Sequence, residues 1–462
     1  MSEAKTARAA DAIEGLPTGR RRKAAFALGV GLMLSVLDAS MSNVALPSIA
    51  KDLNESAASV VWISNAYGLT VAMMLMPMAA IGERIGFKVL FRFGLLLFTC
   101  ASMASALAPT LPLLLVCRVS QGLGGAAIMC LFGALVRHIY PPNLIGRGIG
   151  WNAMTVAVSS VMGPSLGAFI LSIASWHWIF AFNIPVGFLA LLGVKYLPDV
   201  APLKSRFDWV SALLSMTTIG LLIIGIDFLA TYTWQALILI VLSVCVGILL
   251  IRRSSAQAAP LFPVDLFRIP AMRFALAASS STFSAQMATF VSLPFYLLTT
   301  LQRPQITVGV LLAGWPVGAA MIAAIAGPLS DRFPVAILSG IGAAAMALGL
   351  TLIALMPASV DNTWLFMAMM LAGVGFGFFQ TPNNRVLIGA APRNRAGALG
   401  GLQATTRVFS QTFGGAVVAM VFSMGFSIGP LLGVWVAICF ALVAVSVNVI
   451  RYRQAPHSGQ NG

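Results

Sequence analysis

Fourteen segments of this chain are apolar over enough residues to cross about 30 Å of hydrocarbon, and short polar turns separate them. They lie near 24–46, 59–81, 89–109, 111–136, 148–172, 176–197, 208–230, 233–251, 271–298, 307–328, 335–356, 362–384, 400–428 and 430–450. The expected fold is therefore an all-α membrane protein of fourteen transmembrane helices. The run GRRRK at 19–23 leads straight into a first span too long for a cleaved apolar core, with no small-residue cleavage site after it. No signal peptide is expected. Composition agrees with the membrane reading: 59% of residues are hydrophobic and 9% charged, against about 25% charged in soluble domains. The five cysteines (Cys100, Cys117, Cys130, Cys245, Cys439) all fall within spans, which suggests packing rather than a disulfide framework.

Charge orients the chain. With both termini in the cytoplasm, 24 of the 28 Lys and Arg residues fall in or beside cytoplasmic segments. Lys51 and Arg303 lie outside, while Arg118 and Arg407 lie within spans. That is a strong positive-inside bias. Because the basic residues are scattered through short loops, the net charge of +15 implies no nucleic-acid partner.

The chain also repeats itself at an offset of 248 residues: Glu83-Arg84 maps to Asp331-Arg332, Arg137 to Arg385, Arg147 to Arg395 and Gly167 to Gly415. Spans 7 and 8 have no counterpart. The expected organisation is a cytoplasmic tail (1–23), a six-helix half (24–197), two inserted helices with a linker (198–270), a second six-helix half (271–450) and a cytoplasmic tail (451–462). Parallel repeats of this kind place a substrate site between the halves near the midplane.

Candidate chemistry comes from the polar residues that the spans contain. Asp38 stands deep in the first span, where a charge costs roughly 3 kcal/mol on insertion scales. It lies about eight residues from the outer end of its span, and Arg118 about seven from the outer end of span 4. Both depths come to roughly 10–12 Å, so the two can pair. Burial disfavours charge on the carboxylate and a neighbouring guanidinium favours it, so a group balanced between them can exchange a proton. A permanent structural ion pair is the alternative. Gln121 shares the face of Arg118 one turn on, and Gly122, Gly124 and Gly125 permit close helix approach. Gly163, Pro164 and Gly167 should kink span 5 and thin one side of it. Glu83, Arg84, Lys88, Asp331 and Arg332 sit at cytoplasmic helix ends, where they could latch the two halves or merely set topology. Gln403, Arg407 and Gln411 recur every four residues, a polar stripe that must face the bundle or a cavity. With Gln286 and Trp315 they are candidates for substrate contact, although packing against the other half is the alternative for the stripe. Asp227, near the outer end of span 7, suits interfacial snorkelling.

No enzyme is expected. The three histidines (His138, His177, His457) form no ligand cluster, so neither metal nor cofactor is implied. A GxxxxGK loop is missing, so ATP bound to this chain does not drive transport. A lone carboxylate without an oxygen cage suits a proton better than sodium.

Four segments carry a family resemblance: LDASMSNVALPSI (37–49), CRVSQGLGGAA (117–127), VMGPSLGAF (161–169) and WHWIFAFNIPVG (176–187). The matching residues are Asp38, Asn43, Ala45, Leu46, Pro47; Arg118, Gln121, Gly122; Gly163, Pro164, Gly167; and Trp176, Trp178, Phe180, Asn183, Pro185, Gly187. In order and on the right spans, they resemble the fourteen-span drug:proton antiporter family of the major facilitator superfamily (multidrug efflux type), over essentially all of 24–450. The resemblance implies an exporter. The loop AAIGERIGFK (79–88) departs from the family pattern at Ala79, Glu83 and Phe87, and GPLSDRFP (327–334) lacks its trailing glycine. Span 10 holds no acidic residue, which argues against dicationic substrates.

The reading that results is a proton-coupled exporter of small amphipathic compounds, a multi-pass protein of the inner membrane and a monomer. Asp38 is its expected proton carrier, with Arg118 as electrostatic partner. Two alternatives are a dedicated exporter of one endogenous metabolite (antibiotic, toxin or siderophore) and a non-transporting membrane sensor. The small size of every loop counts against the sensor.

Overall fold

Backbone hydrogen bonds carry the first helix well past its apolar stretch at both ends. In a computed structural model, which describes residues 15–203, 207–229, 232–257, 261–330, 332–390, 396–423 and 428–454, α1 runs over Thr18–Asp52. Hydropathy marks the hydrocarbon-crossing part of a helix, whereas hydrogen bonding continues through GRRRK, whose arginines and lysine are good helix formers. Next come α2 (Ala57–Ile85), α3 (Phe87–Ala106), α4 (Leu111–Met129), α5 (Phe132–Ile139), α6 (Ile145–Ile173), α7 (His177–Ala181) and α8 (Asn183–Gly193). The pair α9 (Trp209–Phe228) and α10 (Thr233–Ser255) follows. The chain closes with α11 (Pro270–Phe295), α12 (Gln305–Ser330), α13 (Val335–Leu355), α14 (Asn362–Ala390), α15 (Ala396–Ser423) and α16 (Gly429–Gln454).

Local chemistry sets the breaks. Ser56 caps α2 by accepting from the Ser59 amide at 3.1 Å. Gly86, at φ 95°, turns the chain between α2 and α3 in a conformation that side chains rarely adopt. The sixth apolar segment divides into α7 and α8 because Pro185 has no amide hydrogen to return to Ala181.

Helices lie at every expected place, and among the described residues ten of them are long and apolar enough to cross a membrane. Four further long helices, α6, α11, α12 and α15, carry many small residues, chiefly Gly, Ala and Ser. α12 packs along α6 and α15 along α2, across the seam between the halves, while α11 packs on α15 and α16 of its own half. Their small residues let backbones touch: a Cβ on Gly150 would overlap the Ala323 carbonyl, and one on Gly400 the Cys130 carbonyl.

α1–α8 and α11–α16 each pack chiefly among themselves, while α9 leans on α10, α2 and α15 at the seam. One buried core joins both halves, running from Leu28, Phe91 and Leu135 to Leu276, Leu387 and Leu402. It lies at the end that holds the start of α1 and the basic loops. At the opposite end the halves keep separate cores, around Met41, Ile49 and Phe180 in one and Leu293, Leu350 and Val434 in the other.

Candidate functional site

Five helices of the first half meet around one carboxylate. α1 carries Asp38 and α4 carries Arg118, and the Arg118 Nη1 to Asp38 Oδ2 distance is 2.6 Å, with the side chains 1% and 0% exposed. Gln121, one turn beyond Arg118, donates to Asp38 Oδ1 at 3.1 Å and accepts from Arg118 Nη1 at 2.8 Å. Asn183, the first residue of α8, donates to the same Oδ1 at 2.6 Å. Ser102 on α3 accepts from Gln121 at 2.6 Å. The guanidinium is held further by its Nε bond to the Ile63 carbonyl at 3.0 Å and by the Tyr67 ring at 4.5 Å. Withdrawing two charges from water costs several kcal/mol per ion, so a buried pair persists only with such added hydrogen bonds. Here each partner has them.

The lone pairs are unevenly used. Oδ1 accepts from two amides and Oδ2 from Arg118 alone, so a proton arriving on Oδ2 competes with a single hydrogen bond. The Asn183 Oδ1 is buried without a donor. It is an acceptor within the network that the ionised form leaves unused.

Asp38, Arg118 and Gln121 thus meet as one cluster, and Gln121 belongs to it rather than to a substrate cavity. Asn183, Ser102 and Tyr67 complete the cluster. Asn183 was legible as an amide inside an apolar span, whereas Ser102 had no signal, since a serine in a span ordinarily bonds its own helix. Gly163 and Gly167 on α6 are the surface on which α1 rests: added Cβ atoms would overlap Ser40 and lie 3.3 Å from Met41 Cα. α6 continues as one helix through Pro164.

The expected latch residues separate. Glu83 reaches the other half, accepting from the Ala398 amide in the first turn of α15 at 2.8 Å. The free amides and positive dipole end of a helix favour that carboxylate. Lys88 instead pairs within its own half, with Asp199 at 3.1 Å, because Asp199 follows α8 directly above it. Arg84 bonds its own helix at Ala80 O (2.6 Å) and lies over the Phe207 ring. Arg332 is exposed, and Asp331 lies outside the described residues.

The substrate candidates separate too. A cavity of about 90 Å³ lies between the halves, and Gln403 and Arg407 line it together with Asn152, Gln380 and Asn384. Gln403 donates to Asn384 at 2.6 Å. Gln286 and Gln411 bond each other at 3.1 Å within the second half and line no part of this cavity. Trp315 is also away from it: 2% exposed, the indole packs between Phe290 and Phe376, and the backbone of Trp315 lies against Gly373. A large apolar ring gains more in that core than on a wet wall.

Three known proteins place the chain among transporters. It is 40% identical to an uncharacterized transporter of Escherichia coli, YebQ, over 96% of this chain and 98% of that one. It is 27% identical to the riboflavin transporter RibZ of Clostridioides difficile, over 85% and 86% respectively. With the multidrug resistance protein Stp of Mycobacterium tuberculosis it shares 28% identity over 86% of this chain and 74% of the relative. The Major Facilitator Superfamily model matches residues 28–415, which takes in the Asp38 cluster, the seam and the cavity alike. With its many apolar helices and two packed halves, this chain is a multi-pass membrane transporter of the major facilitator superfamily.

Proposed function

We propose that this chain exports small amphipathic compounds across the inner membrane in exchange for protons, by alternating access of its two halves. The observation that carries the reading is the buried Asp38–Arg118 pair with its amide shell. Fourteen spans with both termini cytoplasmic fit the helices at all expected positions and the basic residues of the shorter loops. In that orientation the shared core and the Glu83–Ala398 bond close the cytoplasmic end, so the state described is the one that faces outward.

From that state a proton from outside attaches to Asp38 Oδ2 and takes the place of the Arg118 hydrogen bond. Arg118 remains held by Ile63, Gln121 and Tyr67. The Asn183 and Gln121 amides keep their bonds to Oδ1, which stays an acceptor in the acid form. Loosening of α1 from α4 frees the halves to rock. Release of the proton to the cytoplasm restores the ion pair. The name of the Mycobacterium relative, a multidrug resistance protein, supports the outward direction.

The test uses compounds to which a deletion strain becomes sensitive. In inverted membrane vesicles, Asp38→Asn should reach the membrane at normal levels yet fail to accumulate these compounds when a pH gradient is imposed. Uphill accumulation by Asp38→Asn would remove Asp38 from the coupling step.

A further inference from the structure

Arg407 is a cation between the two halves with no acidic partner among the described residues. The recorded ion pairs join Arg20 and Lys88 to Asp199, Arg118 to Asp38 and Arg253 to Asp208, and none involves Arg407. Among the described residues it has no hydrogen bond either, unlike Arg118, Arg385 and Arg451, which all have partners. No residue lining its cavity is acidic. Asp38 is the acidic residue in the helices of the first half at this depth, and Arg118, Gln121 and Asn183 already occupy it. An uncompensated guanidinium at membrane depth is costly, and its planar fork matches a carboxylate. The lining of the same cavity includes the amides of Gln403 and Asn384 and the apolar side chains of Phe132, Ile149 and Phe283. About 90 Å³ is several times what one water needs.

We infer that the cavity takes organic anions: an aromatic or apolar body against Phe132 and Phe283, and a carboxylate or like group on Arg407. The inference rests on the export reading in taking this cavity as the substrate site, and it narrows the substrate class. It also fixes the sign of coupling. A cationic substrate would compete with the proton for Asp38, so its binding would weaken on acidification. An anion on Arg407 does not compete with the proton, so coupling runs through the movement of the halves, and acidification leaves binding equal or stronger.

The test is ligand binding by the purified full-length protein in lipid nanodiscs, read as thermal stabilisation. The probes are naphthoates and phenylacetates, their neutral amides and the matching arylmethylamines. Acids should stabilise the wild type more than their amides or amines do, and between pH 8 and pH 6 their affinity should hold or rise. R407Q should bind the acids about tenfold to a hundredfold more weakly, the loss expected for charge-assisted hydrogen bonds. R407K, which keeps the charge without the fork, should fall between, and it carries the test if R407Q does not fold. Amides or amines that stabilise as well as the acids, or R407Q that binds acids like the wild type, would overturn the inference. Either result leaves gradient-driven export to be judged by Asp38→Asn, while failure of uphill export by the wild type strikes the export reading and not the anion site.

Discussion

Asp38 is held by donors from two other helices, Arg118 and Gln121 on α4 and Asn183 on α8, so its bonds depend on the placement of both. Asn183→Ala deletes the 2.6 Å bond to Oδ1 and should slow gradient-driven transport several-fold at unchanged membrane levels, measured as initial rates in vesicles; an unchanged rate would mean that Asn183 only fills space. Arg118→Ala leaves a buried carboxylate unpaired and should cost about 3–5 kcal/mol. At this scale Asp38 and Arg118 were legible because charge inside an apolar run announces itself. The rest of the shell was less so. Ser102 arrives from a third helix, and only packing reveals which of the many span serines turns toward another chain segment. Trp315 shows the converse, since an aromatic ring in a span reads equally well as wall or core.

Among the helices, polarity follows what each one faces. The apolar pattern placed every rod but not its ends, because hydropathy counts the hydrocarbon-facing stretch while caps and prolines decide where hydrogen bonding stops. Asp208 is such a cap for α9. It accepts from the Ser211 amide at 3.1 Å and ties in Arg253 at 3.0 Å and Gln257 at 2.6 Å, both from the end of α10 or just beyond. Burial pushes this carboxyl upward, but the hydrogen bonds from Ser211, Arg253 and Gln257 outweigh it and hold the group well below the usual carboxylate range. A depressed value stabilises the fold above the ordinary carboxylate range, and the contribution fades only as pH falls through the depressed one. Asp208→Ala should therefore loosen the α9–α10 pair by about 1–2 kcal/mol at neutral pH. Limited proteolysis of the linker near Gln257 checks this, and the wild type should keep its protection in mild acid. Equal cleavage of the two proteins at neutral pH would show that the cap does not hold the pair.

For the molecule as a whole, the internal repeat governs what is duplicated and what is not. At the offset of 248 residues, Tyr67 beside Gly125 has its counterpart in Trp315 beside Gly373, the glycine meeting the ring in the first half and the backbone of the aromatic residue in the second. The acid–base cluster is not duplicated: Asp38, Ser102, Arg118, Gln121 and Asn183 correspond to Gln286, Leu350, Phe366, Met369 and Leu431. The carboxylate of this cluster therefore stands in one half only. The repeat was legible in the loops, whereas the seam between halves was not, because no pattern within one helix says which other helix it meets. Glu83 on Ala398 is the recorded side-chain bond that spans this seam, beside the buried Cys130. Glu83→Ala should open the cytoplasmic end more often and speed maleimide labelling of Cys130 several-fold; an unchanged rate would show that the bond does not hold the end closed. The central claim is that Asp38 carries the proton, and the most direct measurement is proton flux during substrate movement in proteoliposomes. The wild type should move protons in exchange for substrate, and Asp38→Asn should pass substrate downhill with no accompanying proton. Proton flux that persists in Asp38→Asn would contradict the account.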